Sequence, residues 1–269
     1  MGVTLLGIGA DTTNTEPVPE VYPDGTFEYL PIPEANGPTG TTETMTYGSY
    51  ELHHRDGTAA EYVTSIRPGG GGEAITGGEL ESWPLHHDPN FEALTYGETA
   101  SRASYVRHIR ELAPGDVVGF YTGLRSAEST YLDRYLIGYF TVDRIVDMRR
   151  LPMAGDVVSF SELPRSRRDA IMAEHGANAH AKRYHATGRV APDDGLVLIE
   201  GREPGGLLDR AFRLSECGAN GHHYLTDELQ RRFAPEPTGN PDTNAGLGGV
   251  KPAHRLRIDP AAFIDMVTT

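Results

Sequence analysis

The segment Glu111–Tyr121, ELAPGDVVGFY, decides the predicted fold. Before its turn, four apolar residues spaced by three between positions 103 and 112 predict a helix over 98–112. The Pro-Gly pair at 114–115 ends that helix. The apolar run that follows predicts a buried strand over 117–121, and a second strand is predicted over 135–142. A helix, a tight turn and two neighbouring strands therefore form the predicted centre of the molecule.

On both sides of this segment, the sequence predicts short strands and scattered helices. The strands are predicted at 3–8, 196–199, 211–214 and 254–258. The helices are predicted to begin near Ser161, Thr226 and Asp259. Strands and helices do not alternate strictly, as they would in a doubly wound parallel sheet. The predicted fold class is therefore α+β with a mixed sheet.

The length of 269 residues fits a single domain, which we expect to span 1–269. Its core is predicted near 95–215, with a loop-rich N-terminal part over 1–94 and a C-terminal extension over 234–269. Four consecutive glycines at 69–72 are expected to form a flexible tip. No Lys-Ser or Lys-Thr follows them, so the run is not a phosphate-binding loop.

The net charge of −14 comes with only two lysines among 24 basic residues. Many carboxylates with little lysine indicate a halophilic protein, because abundant counterions screen the self-repulsion of an acidic chain. A GC-rich genome that favours Arg codons is the alternative. The acidic balance argues against nonspecific coating of DNA, which depends on Lys and Arg meeting phosphates. It leaves room for a local basic groove.

Cys217 is the only cysteine of the chain, which excludes an internal disulfide and a finger-type zinc site with several thiolates. No apolar run approaches the roughly 18 residues of a membrane span. The N-terminus lacks the basic region of a secretory signal. We therefore expect a cytoplasmic protein with no membrane partner.

The segment His86-His87-Asp88-Pro89 is the clearest candidate for chemistry. Neighbouring residues of an extended segment point in opposite directions, so His86 and Asp88 are expected to share one face. A carboxylate beside an imidazole can orient it as a general base or as a metal ligand. An exposed loop in which Asp88 caps the turn before Pro89 is the alternative.

Two further carboxylates are candidate catalytic groups. Asp11 follows the exit of the first predicted strand, and Asp24 lies in an Asp-Gly turn that predicts a hairpin. If the protein is an enzyme, His86 with Asp88 is the best general base. Asp11 or Asp24 would then supply a second acid–base group or a metal carboxylate.

The other histidines show no dedicated metal-binding spacing. His175, His180 and His185 are five residues apart, so they do not line one face of a helix. We interpret them as surface or helix-capping residues. The sequence assigns no metal ligand and leaves any cofactor unknown.

The strand–loop–strand segment after position 115 resembles the small PUA-like barrels of the ASCH and EVE groups, in which the mouth of the barrel receives a nucleobase or nucleic acid. This resemblance implies a small PUA-like β-barrel core. It places Tyr121, Gly123 and Arg125 near the mouth as nucleotide-binding residues. An aromatic ring and a guanidinium are useful there for stacking on a base. The alternative is an ordinary α+β hairpin.

Several segments together resemble the nucleotide-modification-associated domain family, third type. The resemblance covers roughly residues 3–235, and its firmest motifs lie in the first half. The matching segments are Asp11, Pro23-Asp24-Gly25, Leu30–Pro33, His86–Pro89, Tyr96-Gly97, Gly115–Tyr121, Phe212–Leu214 and Leu225-Thr226. The resemblance implies a protein associated with modification of nucleotides or DNA, with a nucleotide or nucleic acid as its partner.

Three classes of function remain open from the sequence: a nucleotide-directed enzyme, a non-catalytic reader of a modified base, and a protein–protein interaction module. Convergence of Asp11, Asp24, His86 and Asp88 in one concave site would favour the enzyme. A basic, aromatic mouth near Tyr121 would favour the reader.

Overall fold

The computed structural model describes residues 2–11, 14–68, 72–127, 132–153, 155–189, 195–237, 245–247 and 252–269. The predicted glycine tip falls largely on 69–71, outside the described residues, as does much of the predicted loop at 234–249. Within the described parts the fold is a mixed α+β structure, as predicted.

The strands range from short two-residue pairings to three long central strands. They are β1 (Val3–Gly7), β2 (Thr15–Glu16), β3 (Glu20–Val21), β4 (Ile32–Pro33), β5 (Ser65–Ile66), β6 (Ile75–Thr76), β7 (Leu85–His86), β8 (Thr95–Glu98), β9 (Val117–Ser126), β10 (Leu132–Asp147), β11 (Leu151–Met153), β12 (Asp156–Val158), β13 (Val197–Arg213), β14 (Ser215–Cys217), β15 (His223–Leu225) and β16 (His254–Leu256).

The described residues also form seven α-helices and three 3₁₀ helices. The α-helices are α1 (Ala59–Tyr62), α2 (Gly77–Ser82), α3 (Ala103–Arg110), α4 (Arg165–Glu174), α5 (Ala179–Thr187), α6 (Asp227–Phe233) and α7 (Pro260–Thr268). The 3₁₀ helices are Gly37–Gly40, Ala100–Arg102 and Phe160–Glu162.

A curled, seven-stranded sheet organises the molecule. Its strand order is β16-β1-β9-β10-β13-β8, and β3 pairs with the far end of β9. The pair β1–β9 is parallel, whereas β9, β10 and β13 run antiparallel. Among the described strands the path ends at β16 and at β8 without closing into a ring. The PUA-like barrel is therefore not confirmed.

The main core lies against this sheet and follows from its apolar strands. Residues 117–124 of β9 are all buried, as are 133–142 of β10. Phe120 and Phe140 pack with ring centroids 4.7 Å apart, and Phe91 stands edge-on to both. Truncating such a fully buried ring to Ala typically costs about 3–5 kcal/mol. The predicted centre of the fold is thus the most heavily packed part of the described structure.

The N-terminal part has its own apolar cluster rather than loops alone. Tyr47, Tyr50, Ile66 and Leu80 are among its buried side chains. Short pairings tie the segments together, including β4 with β7. This layer holds β7 in place next to the edge strand β8.

One predicted helix begins later than expected, and one helix of the structure was not predicted. Within the predicted range 98–112, residue 98 belongs to strand β8, residues 100–102 form a 3₁₀ helix, and α3 runs from Ala103 to Arg110. Strand β8 pairs with β13 through Gly97 and Leu198, which keeps residue 98 extended, whereas the apolar positions 103, 106 and 109 lie in α3 as predicted. Helix α5 was not predicted at all. No helix in the described parts of the chain is long and apolar enough to cross a membrane.

Candidate functional site

His86, the last residue of β7, and Asp88, two residues beyond it, lie close together, as the sequence predicts. His86 is paired with Ile32 of β4, which fixes the direction of its side chain. The Nε2 atom of His86 lies 3.9 Å from Oδ2 of Asp88. His87 points the other way and packs edge-on to the ring of Tyr50. All three of these segment residues are buried, which excludes the exposed-loop alternative.

A third ligand-type side chain comes from α5. Nε2 of His180 lies 3.3 Å from the same Oδ2 of Asp88, and the His86 and His180 rings are perpendicular with centroids 5.0 Å apart. One ligand-type atom from each residue lies within 4.8 Å of the other two. We call His86, Asp88 and His180 the histidine–aspartate cluster. Two imidazoles and one carboxylate are the residue types that hold catalytic zinc or non-haem iron.

Strand β8 holds the carboxylate of the cluster. The backbone N–H of Gly97 donates to both oxygens of Asp88, at 3.0 and 3.1 Å. Gly97 also makes room for the helix: a Cβ at this position would stand 2.5 Å from Cδ2 of His180. The Oδ1 atom of Asn178 accepts from the His180 N–H and so caps α5. The Asn178 side chain also donates to Thr95, which ties the start of α5 to β8.

Glu34 orients His86 from behind the cluster. Its Oε2 lies 3.2 Å from His86 Nδ1, and its Oε1 accepts from Arg183 Nε at 2.9 Å. Although burial alone would raise it, the hydrogen bonds of His86 and Arg183 and the charge of Arg183 hold the pKa of Glu34 well below its usual range. Burial lowers the pKa of His86 in turn.

The ionised Glu34 carboxylate favours the His86 tautomer with hydrogen on Nδ1, because a carboxylate accepts and cannot donate. The lone pair of Nε2 then faces Asp88 and His180. Arg183 also approaches Nδ1 at 3.2 Å, but its guanidinium has the Glu34 carboxylate as a closer and charged acceptor.

A cavity of about 240 Å³ opens beside the cluster. Its lining residues are Gly7, Ile8, Gly9, Asn14, Ile32, His86, Asp88, Tyr96, Gly97, Glu98, Arg102 and His180. Glu98 accepts from the Tyr96 hydroxyl at 2.8 Å and from Arg102 at 3.2 Å. Burial raises the pKa of Glu98, although the charge of Arg102 opposes the shift. The cavity therefore combines a second carboxyl group with a guanidinium.

Asp11 and Gly123, both predicted site residues, do not line this cavity. The carboxylate of Asp11 is buried and lies 3.2 Å from Nη1 of Arg134. Nε of Arg134 donates to the carbonyl of Leu247 at 3.1 Å. Gly123 lies against this pair, since a Cβ there would stand 2.3 Å from Arg134 Nη1. We call Asp11 and Arg134 the buried ion pair.

The remaining predicted residues are also away from the cavity lining. Asp24 is exposed and accepts from the backbone and hydroxyl of Thr26 in its turn. Tyr121 is fully buried, and its hydroxyl donates to the Pro252 carbonyl at 2.6 Å. Arg125 lies exposed on β9 where that strand pairs with β3. Of the predicted site residues, the structure brings only His86 and Asp88 together at the cavity.

The sequence interpretation missed His180 and Glu34. His175 and His180 are both buried, so the surface assignment is wrong for these two, although His175 does stand at the C-cap of α4. One sequence signal could have found α5: Asn178 is a good N-cap and Gly188 a good C-terminal stop, and they bracket a helix-length segment with a histidine in its first turn. Glu34 follows Leu30–Pro33 and carries no comparable signal.

Together, the fold and the site define an α+β protein with a buried His–Asp–His cluster on the wall of a small cavity. The model of the family described as nucleotide modification associated domain 3 matches residues 3–241. The chain belongs to this family, which gives it a general association with nucleotide modification. Comparison with curated proteins and with solved structures finds no match.

Proposed function

We propose that the protein is an enzyme of nucleotide modification, and that the cavity beside the histidine–aspartate cluster is its active site. The substrate is a nucleotide, or a single base of a nucleic acid. The observation that carries this proposal is the convergence of His86, Asp88 and His180 from separate segments on one buried cavity wall.

Burying three titratable side chains costs free energy, which a site without a function would avoid. Polar groups taken out of water cost free energy when they are not fully hydrogen-bonded, and the 3.9 Å between His86 Nε2 and Asp88 Oδ2 is too long for a hydrogen bond. Titratable groups gathered in a cavity under such conditions are typical of functional sites. Simple packing would be served better by apolar side chains.

The other groups of the cavity suit a nucleotide. Arg102 stacks on the ring of Tyr105, with its guanidinium carbon 3.5 Å from the ring centroid, and its side chain remains 37% exposed. A guanidinium so placed can bind a phosphate. Glu98 supplies an acid–base group on the cavity wall beside the cluster.

The size of the cavity and the charge of the chain favour a small substrate. Pockets for drug-sized ligands run from about 300 to 1,000 Å³, so a cavity of about 240 Å³ accepts a base or sugar rather than a stretch of polymer. The net charge of −14 also repels long polyanions.

The reader hypothesis receives less support. It needs an accessible ring for base stacking near Arg125, and the Tyr121 ring is fully buried under the Pro252 carbonyl contact. Tyr96, the aromatic residue of the cavity, has its hydroxyl engaged by Glu98.

Mass spectrometry of nucleosides from the host tests the proposal. We expect deletion of the gene to remove or accumulate a modified nucleoside, in DNA, RNA or the free pool. Expression of the intact chain restores the wild-type profile, and expression of D88N does not.

H185N is the matched control, because His185 lies exposed on α5 outside the cluster. It should restore the profile fully. A deletion with an unchanged profile, or full restoration by D88N, would overturn the proposed function. Binding of a modified nucleoside without any turnover would favour the reader instead.

A further inference from the structure

We infer that the histidine–aspartate cluster is a binding site for one divalent first-row transition-metal ion. Its protein ligands are Nε2 of His86, a carboxylate oxygen of Asp88 and Nε2 of His180. The inference rests on the proposed function for its catalytic meaning, because the ion would act in the same cavity. The binding itself is a property of the protein alone.

The three side chains have nearly the spacing that an ion requires. Ligand atoms about 2.0–2.1 Å from a tetrahedral ion stand roughly 3.3 Å from one another. The His180–Asp88 separation is 3.3 Å. The His86–Asp88 separation is 3.9 Å and all three ligand atoms lie within 4.8 Å of one another, so the side chains would draw closer together around an ion. Three ligands leave at least one position open towards the cavity, as in catalytic sites.

Residues around the cluster support it as they do in metal sites. A metal-ligating imidazole usually donates its other N–H to a carboxylate or carbonyl, and Nδ1 of His86 lies 3.2 Å from Glu34 Oε2. The carboxylate of Asp88 is held by the Gly97 N–H. Arg183 balances the charge of Glu34, so the second carboxylate orients His86 without adding net charge.

The ligand types define the class of ion. Imidazole nitrogen suits zinc, iron, nickel and copper, whereas calcium and magnesium prefer sites made of oxygen. Among the described residues, His86, Asp88 and His180 are the one group of three metal-ligating side chains this close together. A metal bound by the folded protein in stoichiometric amount should therefore be found here.

Titration of the full-length, chelator-treated protein with Co²⁺ alone tests the inference, since cobalt in a site with nitrogen ligands absorbs visible light. We expect saturation at one ion per chain and displacement by Zn²⁺. Parallel titrations with Fe²⁺ and Mn²⁺ rank the candidates for the native ion. Absence of stoichiometric cobalt and zinc binding by the intact protein would overturn the inference.

Variants locate the site. D88N and H180N should abolish saturable cobalt absorption, whereas the control H185N should match the intact protein. E34Q should keep the site but weaken cobalt binding by about 10–100-fold, as loss of an orienting partner does. Circular dichroism checks that each variant is folded. Should H180N fail to fold, D88N decides, because it keeps the size of the side chain and an acceptor for Gly97.

Wild-type cobalt binding by folded D88N or H180N would place the ion elsewhere and contradict the inference. The result is separable from that of nucleoside profiling. If the intact protein binds no metal but D88N loses the modification, the proposed enzyme stands and the metal site is wrong. If the intact protein binds the metal but deletion of the gene leaves the nucleoside profile unchanged, the metal site stands and the proposed function is wrong.

Discussion

The histidine–aspartate cluster and the buried ion pair are both built from charged or titratable side chains, yet they differ in how those groups meet. In the buried ion pair, Arg134 faces the Asp11 carboxylate at 3.2 Å and donates to a carbonyl besides. In that pair the charge of each side chain is neutralised by its partner, and the donors of Arg134 meet acceptors. In the cluster, two imidazole nitrogens face a single carboxylate oxygen across 3.3 and 3.9 Å.

On the basis of this difference we assign a structural role to the buried ion pair and propose a functional role for the cluster. A complementary pair holds its neighbours in place and gains nothing from a ligand. A cluster of electron-pair donors that face each other gains most from a cation placed between them. The sequence cannot make this distinction, because Asp11 and Asp88 both follow short strands and both resemble family motifs.

The largest effect on folding is expected at the buried ion pair. R134M removes the cation that faces Asp11 and leaves a carboxylate in a buried setting, which costs about 3–5 kcal/mol of unfolding free energy. Denaturant unfolding measures this loss. Cobalt binding by the fraction that remains folded should be unchanged, and a stability within 1 kcal/mol or so of wild type would contradict a structural role for the pair.

Zn²⁺ should stabilise the protein only when the histidine–aspartate cluster is intact, whether or not the buried ion pair is present. A ligand at about 100 times its dissociation constant adds about 2.7 kcal/mol to the free energy of unfolding. We therefore expect Zn²⁺ to raise the unfolding midpoint of the wild-type protein and of R134M alike. H180N should show no such rise, and an equal rise in H180N would indicate that zinc acts at another place.

One glycine packs against each of the two regions, Gly97 against the cluster and Gly123 against the buried ion pair, so the same substitution can be made in both. A Cβ at Gly97 would meet His180 at 2.5 Å, and a Cβ at Gly123 would meet Arg134 at 2.3 Å. Each alanine should cost about 1–3 kcal/mol of stability, as overpacking does. Only G97A should also weaken cobalt binding, measured by the same titration. Equal cobalt affinities of G97A and G123A would mean that the position of His180 does not matter.

The smallest effect is expected at Asp24, which belongs to neither region. It is exposed, and its hydrogen bonds stay within its own turn. D24N should leave the thermal unfolding midpoint, cobalt binding and nucleoside profile unchanged. A loss of modification in D24N would restore it to the catalytic groups that the sequence suggested.

The centre of the fold could be predicted because its signals are local. The Pro-Gly turn at 114–115, the apolar run of β9 and the caps Thr226 and Asp259 each act within a few residues. The closed barrel could not be tested by such signals, since closure depends on pairing between distant edge strands. Strand β8 shows the same limit, because its pairing with β13 joins residues about 100 positions apart and no local pattern predicts it.

The candidate site was half predictable for a similar reason. His86 and Asp88 are two positions apart in one short segment, so a local pattern is enough to bring them together. His180 and Glu34 reach the cluster only through the packing of α5 and the pairing of β4 with β7. Asp11 and Tyr121 lie away from this cavity because their partners, an arginine and a backbone carbonyl, come from segments far along the chain.

The central claim is that the histidine–aspartate cluster binds a metal ion in the active-site cavity. Anomalous X-ray diffraction at the zinc edge, from crystals of the zinc-loaded protein, tests it most directly. The account predicts one strong anomalous peak within about 2.0–2.2 Å of His86 Nε2, an Asp88 oxygen and His180 Nε2. A zinc-loaded crystal whose anomalous density lies away from these three side chains would contradict it.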